Sequence, residues 1–415
     1  MIKIIINSDD IQEIEKCLSR FKDAIISTFI RETSYSLDDV QTLWSDMIRF
    51  IENFLDFTKA TLNIWVKEST LYQKWEFNST YDRVPWGKVL ICSPGNAPIP
   101  LIPIMLLSFS AVGNEIILSP SRKTLNTAKL LFECISRCIG SKTEIAFYDK
   151  GCKNAMKEYV ETGKVNLLYF QGGSKFRNEI YNIAYSNGVE VIFEGGGNVV
   201  AIIEKDCAIE STVKELVEAK KFCGGQMCTS PNMIFVHESI LDVFKELFLK
   251  WSAKCNPISV MKIEQIKWIE SLINDSKLRG YVKGVYPQNC GNHTLKPALI
   301  EISKLEYVKH YLNNELFSPY VFIVAYNDIN YVLHLLKTYW KYGLQISLFT
   351  KNKNTIDKIK KEIHVGRITI NINPTYQNSL LPWGGYKLSG FSYVMNFLEK
   401  ATKPVIIESN RGDKK

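Results

Sequence analysis

With 415 residues, 46% of them hydrophobic and 23% charged, the chain has the composition of an ordinary globular protein and the length for two domains. Its 51 basic and 43 acidic residues leave a formal charge of +8, too mild and too dispersed for a nucleic-acid surface, though it suits phosphate-bearing small molecules. Ten scattered cysteines without a CxxC pair, and five histidines that do not cluster with them, exclude a disulfide framework and offer no metal-ligand spacing; the compartment read from them is reducing and cytoplasmic.

The first residues, Met1 to Ser8, lack a signal-peptide pattern. Ile11, Ile14, Leu18, Phe21, Ile25 and Phe29 recur at helical spacing and predict an amphipathic helix over 9–33. Ser36, with Asp39 three residues on, caps a second predicted helix that runs to about Lys67, with Val40, Leu43, Met47, Ile51, Phe54 and Leu55 on its apolar side. Residues 71–86 read as an extended hairpin or arm, or as a surface loop. From Lys88 onward short apolar strands alternate with helices. Strands are predicted at Val89–Cys92, Glu115–Leu118, Glu144–Phe147, Val165–Phe170 and Val189–Phe193, with helices near 99–112, 124–139, 153–162 and 174–186. The apolar run Ile99–Val112, about 14 residues, is too short to span a bilayer. A second series has strands at Val199–Ile203, Met233–Val236, Ala298–Ile302, Val321–Val324, Gln345–Thr350 and Arg367–Ile370, and helices near 209–221, 238–253, 264–276, 328–341 and 354–363. The pattern predicts an α/β protein of two doubly wound domains, each a mostly parallel sheet covered on both faces. The expected division is 1–196 for a nucleotide-binding domain, 197–390 for a thiol domain and 391–415 for a returning tail, with the crossing at Glu194–Asn198.

Chemistry gathers in loops. Phe222 to Pro231 reads FCGGQMCTSP, a glycine-rich turn between helix and strand that can present the Cys228 thiol to a substrate, or hold one more buried cysteine. Glu194 ends a strand before three glycines; it is a candidate base or a surface acid. Asn96, in Ser93-Pro94-Gly95-Asn96-Ala97-Pro98, can donate an amide to an oxyanion or simply make a turn. Ser119-Pro120-Ser121-Arg122 follows the second strand, where a doubly wound sheet meets the ribose of a dinucleotide. Gly172-Gly173-Ser174 follows a strand and opens a helix, a weak phosphate-loop signal; GxGxxG is absent.

Taken together, and from about Arg83 to the C-terminus, these loops resemble the aldehyde dehydrogenase superfamily. Ser93 to Pro98 is similar to its Pro-x-Asn-x-Pro motif, Phe193-Glu194-Gly195-Gly196 to its Glu-Leu-Gly-Gly motif, and Gly225-Gln226-Met227-Cys228 to its Gly-Gln-x-Cys motif. The interval of 34 residues from Glu194 to Cys228 (228 − 194) also matches the family. Asn314 to Pro319 resembles Glu-Glu-x-Phe-Gly-Pro, and Pro382 to Gly390 resembles the C-terminal Pro-Phe-Gly-Gly-x-Lys-x-Ser-Gly. The resemblance implies Cys228 as nucleophile, Glu194 as general base and Asn96 as oxyanion donor. It implies a nicotinamide cofactor held by Ser93, Pro94, Ser119, Ser121, Arg122, Gly172, Gly173, Ser174, Glu315 and Phe317. It further implies a homodimer or homotetramer, built through the arm near 72–86 and Pro404–Glu408.

Departures from the pattern carry information. The family's Lys-Pro-Ser-Glu reads Ser119-Pro120-Ser121-Arg122, and a guanidinium in place of the carboxylate favours a 2′-phosphate, hence NADP over NAD. The chain also begins late relative to the family, without its usual N-terminal strands. Asn96-Ala97-Pro98 and Pro120-Ser121-Arg122 are similar to acyl-CoA reductases as well, which run from thioester to aldehyde. Three readings follow: an aldehyde dehydrogenase forming an acid, an acyl-thioester reductase, and a non-catalytic binding relative.

Overall fold

The computed structural model describes residues 2–72, 78–261, 263–274, 282–285, 294–390 and 394–409. Three helices open the chain: α1 (Ser8–Thr33), α2 (Leu37–Glu52) and α3 (Phe54–Tyr72). Asn7 caps α1 through a reciprocal bond with Asp10, and Ser36 caps α2 by accepting from Asp39 N. The helix predicted from Ser36 to Lys67 is interrupted. Asn53 takes up the Arg49 carbonyl with both its backbone N–H and its side-chain Nδ2, which ends α2 and turns α3 away.

The first sheet follows: β1 (Asn78–Pro85) stands apart, then β2 (Lys88–Ser93), α4 (Pro98–Ala111), β3 (Glu115–Pro120), α5 (Leu125–Ile139), β4 (Ile145–Phe147), the short α6 (Cys152–Ala155) with a π-helical turn at Met156–Val160, β5 (Leu167–Gln171), α7 (Arg177–Ser186) and β6 (Glu190–Glu194). The order β4-β3-β2-β5-β6 is parallel throughout. From β2 the chain goes one way to β3 and later the other way to β5. The crevice beyond their carboxyl ends, between the loops after Ser93 and after Gln171, is therefore the switch point where such sheets bind ligands. Strand alternation sorts the core: Val89, Ile91, Leu118 and Tyr169 face α1, α2, α4 and α5, while Leu90, Cys92, Ile117 and Phe170 face the α6–α7 side. Helix α4 is buried almost all round, and Pro98 is tolerated at its start because an N–H there has no helical partner.

The second sheet is built from β7 (Val199–Ile203), α8 (Ile209–Lys221), β8 (Pro231–His237), α9 (Leu241–Ala253), β9 (Ile258–Ser259), α10 (Ile263–Asn274), β10 (Val282–Val285), β11 (Thr294–Leu295), β12 (Ala298–Ile302), α11 (Leu305–Tyr311), β13 (Tyr320–Tyr326), α12 (Ile329–Thr338), β14 (Gln345–Phe349), α13 (Lys353–Glu362) and β15 (Arg367–Ile370). Its order is β10-β12-β13-β8-β7-β14-β15, parallel except for β10, while β9 pairs with β11 apart from it. β10 lies in a stretch where the sequence pattern gave no strand. The two residues predicted at the end of the 264–276 helix fall outside the described residues.

The chain leaves the first sheet at the carboxyl end of β6 and enters the second at the amino end of β7. The carboxyl ends of one sheet thus face the amino ends of the other. After β15 the chain returns: α14 (Phe397–Lys400) packs on α4, and β16 (Thr402–Ser409) pairs antiparallel with β1 over its length. The predicted arm is therefore no local hairpin, since its partner strand lies more than 300 residues on; residues 73–77 of the arm and 391–393 and 410–415 of the tail lie outside the described residues. Among the described residues no helix is long and apolar enough to cross a membrane, and no acidic, His or Cys group forms a metal cluster.

Candidate active site

A cavity of about 1070 Å³ occupies the seam between the sheets. Its wall includes Ser93, Pro94 and Asn96 after β2, Ser121 after β3, Gly172, Gly173 and Ser174 after β5, Glu194 at the end of β6, Cys228 before β8, and Glu315 and Phe317 before β13.

Cys228 sits on a loop whose backbone is forced by local sequence. Beyond α8 the residues Cys223, Gly224 and Gly225 take consecutive left-handed conformations (φ 49°, 63° and 67°), reversing the chain within one turn. A side chain at Gly225 would place its Cβ 2.2 Å from the Ser318 carbonyl oxygen, so only glycine fits. Gln226, wholly buried, ties the loop: its Nε2 donates to the Cys223 carbonyl and its Oε1 accepts from Met261 N at 2.9 Å. Gly197, entering β7, approaches the Cys228 carbonyl so closely that a Cβ there would lie 1.7 Å from its oxygen.

Three groups from the first sheet share the cavity wall with this loop. Asn96 donates Nδ2 to the Gln226 carbonyl at 3.1 Å. Glu194 is 8% exposed; its Oε2 accepts from Gln171 Nε2 at 2.6 Å and its Oε1 pairs with Lys400 Nζ. Ser174 Oγ accepts from Gly196 N at 2.8 Å, joining the loop after β5 to the crossing. From the second sheet, Glu315 Oε1 accepts from Gly197 N at 3.2 Å.

The electrostatics follow from this packing. Burial pushes the Cys228 thiol up to about 12, and the Glu315 and Glu194 carboxylates add to the shift; a backbone hydrogen bond and the Arg367 guanidinium act the other way. Lys220, wholly buried beneath the loop, donates to the Pro231 carbonyl at 2.9 Å. Burial lowers its ammonium to about 7, against the opposing pull of Glu315.

Two of the residues expected at the cofactor lie off the cavity wall. Ser119 does not reach the cavity. Strand alternation turns it to the same face as Ile117, where it is fully buried and its carbonyl accepts from Cys152 Sγ at 3.2 Å. Arg122 does not line the cavity either. Its Nη2 donates to the Lys150 carbonyl at 2.6 Å and the guanidinium lies against Gly151, while the neighbouring Lys123 is on the wall. Sequence reasoning also missed Gln171, Lys220, Arg367 and Lys400. Each acts across a long interval, and none belongs to a motif; only the Asn396-x-x-Glu399 capping box that orients Lys400 was legible locally.

The crevice fits a nucleotide. The Ser93 hydroxyl is buried at the wall with no hydrogen-bond partner, the Gly172-Gly173 backbone is open to the cavity, and Lys123, Lys153 and Lys175 border it.

Two doubly wound sheets meeting at a half-buried cysteine and a buried carboxylate define a thiol-bearing α/β class. The sequence profile of the aldehyde dehydrogenase family matches residues 8–403, and the chain belongs to that family. Lactaldehyde dehydrogenase of Methanococcus vannielii is 28% identical over 324 residues, 74% of this chain and 67% of that one. D-glyceraldehyde dehydrogenase (NADP(+)) of Picrophilus torridus is 24% identical over 398 residues, covering 90% and 77% of the two chains. Among solved structures, betaine aldehyde dehydrogenase of Staphylococcus aureus superposes with a TM-score of 0.82 at 20% identity, covering 98% of this chain and 83% of that chain.

Proposed function

We propose that the protein is an NAD(P)-dependent aldehyde dehydrogenase that oxidises an aldehyde to a carboxylic acid through a thiohemiacetal and a thioester on Cys228. The observation that carries this reading is the meeting, at one cavity, of a thiol on a forced turn and a buried carboxylate whose charge acts on it. Cys228 loses its proton to Glu194 and attacks the carbonyl carbon. The Asn96 amide, released from the Gln226 carbonyl, and the Cys228 backbone N–H stabilise the oxyanion. The nicotinamide, when bound, supplies the two-electron acceptor. Glu194, having passed the thiol's proton to solvent, then deprotonates the water that attacks the thioester, and the carbon–sulfur bond breaks to release the acid and free Cys228.

Ser93, Pro94, Ser121, Gly172, Gly173, Ser174, Glu315 and Phe317 are the residues we assign to the cofactor. The relatives' names support a nicotinamide cofactor, and one of them specifies NADP(+). The preference for NADP in this chain rests on Lys123, which lines the crevice, with Arg122 one residue behind it. The acyl-thioester reductase reading needs no water-activating base, and a buried Glu194 held at the cavity by Gln171 and Lys400 argues for hydrolysis instead. A cytoplasmic location is supported by the free thiols of the described cysteines, and self-assembly by Ile406 and Ile407, exposed at 71% and 51% on β16.

The test is a panel of short aldehydes and acyl-CoA esters assayed with each cofactor in both directions. Aldehyde-dependent formation of NADPH or NADH with release of free acid is expected. Turnover only from acyl-CoA to aldehyde would overturn the proposal.

A further inference from the structure

Glu194 is enclosed at the end of β6 with both carboxylate oxygens engaged, by Gln171 at 2.6 Å and by Lys400. The Lys400 side chain is 1% exposed and is not on the cavity wall. Its ammonium also lies over the faces of Phe397, at 4.9 Å, and Tyr169, at 5.9 Å. It therefore reaches the carboxylate from behind, out of the core.

The segment that carries Lys400 is fixed by groups of the first sheet and its approach. Arg83 Nη2 donates to the Glu399 and Thr402 carbonyls, Trp86 Nε1 donates to the Lys400 carbonyl, and Asn114 Nδ2 donates to the Ala401 carbonyl. Within α14, the Asn396–Glu399 capping box sets the single helical turn from which Lys400 projects. Four consecutive carbonyls are thus held in place around one lysine, 206 residues away in sequence from the carboxylate it meets.

A carboxylate enclosed in an apolar wall takes up a proton rather than remain charged, unless a cation or several donors hold it ionised. Resting on the reading of Glu194 as the base, we infer that Lys400 is a positioning residue for the reaction: it balances the enclosed carboxylate from behind the wall and holds it aimed at the cavity. Gln171 completes the clamp and itself donates to Tyr169 Oη at 2.9 Å. The other titratable groups facing the pair are Tyr169 on β5, held protonated by burial and by Glu194, and the Cys228 thiol on its loop, which both Glu194 and Glu315 act upon.

Lys400→Met, Lys400→Arg, Glu194→Gln and the double variant Lys400→Met/Glu194→Gln test this in the full-length protein. The expected result for Lys400→Met is a fall in kcat of at least tenfold with a KM changed less than threefold. Lys400→Arg restores kcat toward the parent. The double variant turns over no more slowly than Glu194→Gln alone, because Lys400 acts only through Glu194. An unchanged kcat in Lys400→Met, or losses that multiply in the double variant, would overturn the inference. Should Lys400→Met fail to fold, the double variant, which removes both charges, is expected to recover the parent's urea midpoint more closely than either single variant; a midpoint that falls additively would overturn the pairing. Absence of aldehyde oxidation in the parent would defeat the reading of Glu194 as base, and the denaturation cycle would still decide whether the pair is coupled.

Discussion

The Cys228 thiol is expected to react slowly in the ligand-free protein, by an amount the structure sets. Its folded value of about 12 stands three units above the ordinary 9.0. At pH 8 an ordinary thiol is about one-tenth thiolate, whereas Cys228 is about one part in ten thousand, a loss of about 900-fold. The rarer thiolate is also the stronger nucleophile: with a Brønsted slope of about 0.45, three units return a factor of about 20. The net expectation is a rate of exchange with a small neutral disulfide about 40-fold below that of the same cysteine in the urea-unfolded chain. The logarithm of the rate should climb with unit slope from pH 7 to beyond pH 10. Site-resolved mass spectrometry is needed, because the chain holds ten cysteines. Glu315→Gln removes the largest charge acting on the thiol and should speed the reaction; Arg367→Met removes an opposing cation and should slow it. A rate for Cys228 equal to that of the unfolded chain, or a plateau below pH 10, would refute the electrostatic account.

Other outcomes follow from the same geometry. Glu194→Gln should retain a first-turnover burst of reduced cofactor while steady-state acid release falls by about 100-fold or more; unchanged steady turnover would remove Glu194 from hydrolysis. Gly197→Ala should abolish activity, since a Cβ 1.7 Å from the Cys228 carbonyl oxygen must displace the nucleophile loop; near-parent kcat would contradict the packing. Lys220→Met should stabilise the protein near pH 6.5. With a folded value of about 7 and an ordinary value of 10.5, the unfolded chain binds more protons between those limits, so the parent gains stability as pH rises through that window. The ceiling is about 5 kcal/mol, and the lost bond to Pro231, worth about 1.5–3 kcal/mol, reduces the net gain to about 2–3.5 kcal/mol, shrinking toward pH 10. Urea titrations at both pH values check this, and a pH-independent difference would count against it. Lys123→Glu should lower kcat/KM for NADP more than Arg122→Glu does, because only Lys123 lines the crevice; the reverse order would restore Arg122 to the cofactor.

What was legible in the sequence was local. The strand–helix alternation gave both sheets, and the glycine runs at Gly195–Gly197 and Gly224–Gly225 marked the places where backbone must approach backbone. Residue direction was harder. Ser119 and Arg122 were placed at the correct strand end, yet the pleat of β3 turns Ser119 inward and the Lys150 carbonyl draws Arg122 aside. The break at Asn53 depends on one side chain competing for a carbonyl, which helical periodicity does not register. Lys400 was illegible for a different reason. Its meaning lies in a contact across 206 residues, made only once the chain has returned from the second sheet.

The buried charges at the seam are arranged rather than merely tolerated. Two of the carboxylates on the cavity wall, Glu194 and Glu315, act on the thiol, while the cations Lys400, Lys220 and Arg367 are not on the wall. Each carboxylate is anchored by donors from the backbone or side chains of the opposite element: Glu315 by Gly197 N at the crossing, Glu194 by Gln171 and by the returning tail. Two negative charges beside a desolvated thiol disfavour the thiolate, so the resting site holds a protonated, weakly reactive cysteine. A thiolate kept ready in an open cavity would be exposed to oxidation, whereas a thiol is spared until a base takes its proton. On the proposed mechanism Glu194, one of the carboxylates that suppress the thiolate, is also the base that takes its proton. Suppression and activation therefore come from one set of charges, and the balance between them shifts when the cavity fills, water leaves and a positive charge is brought near.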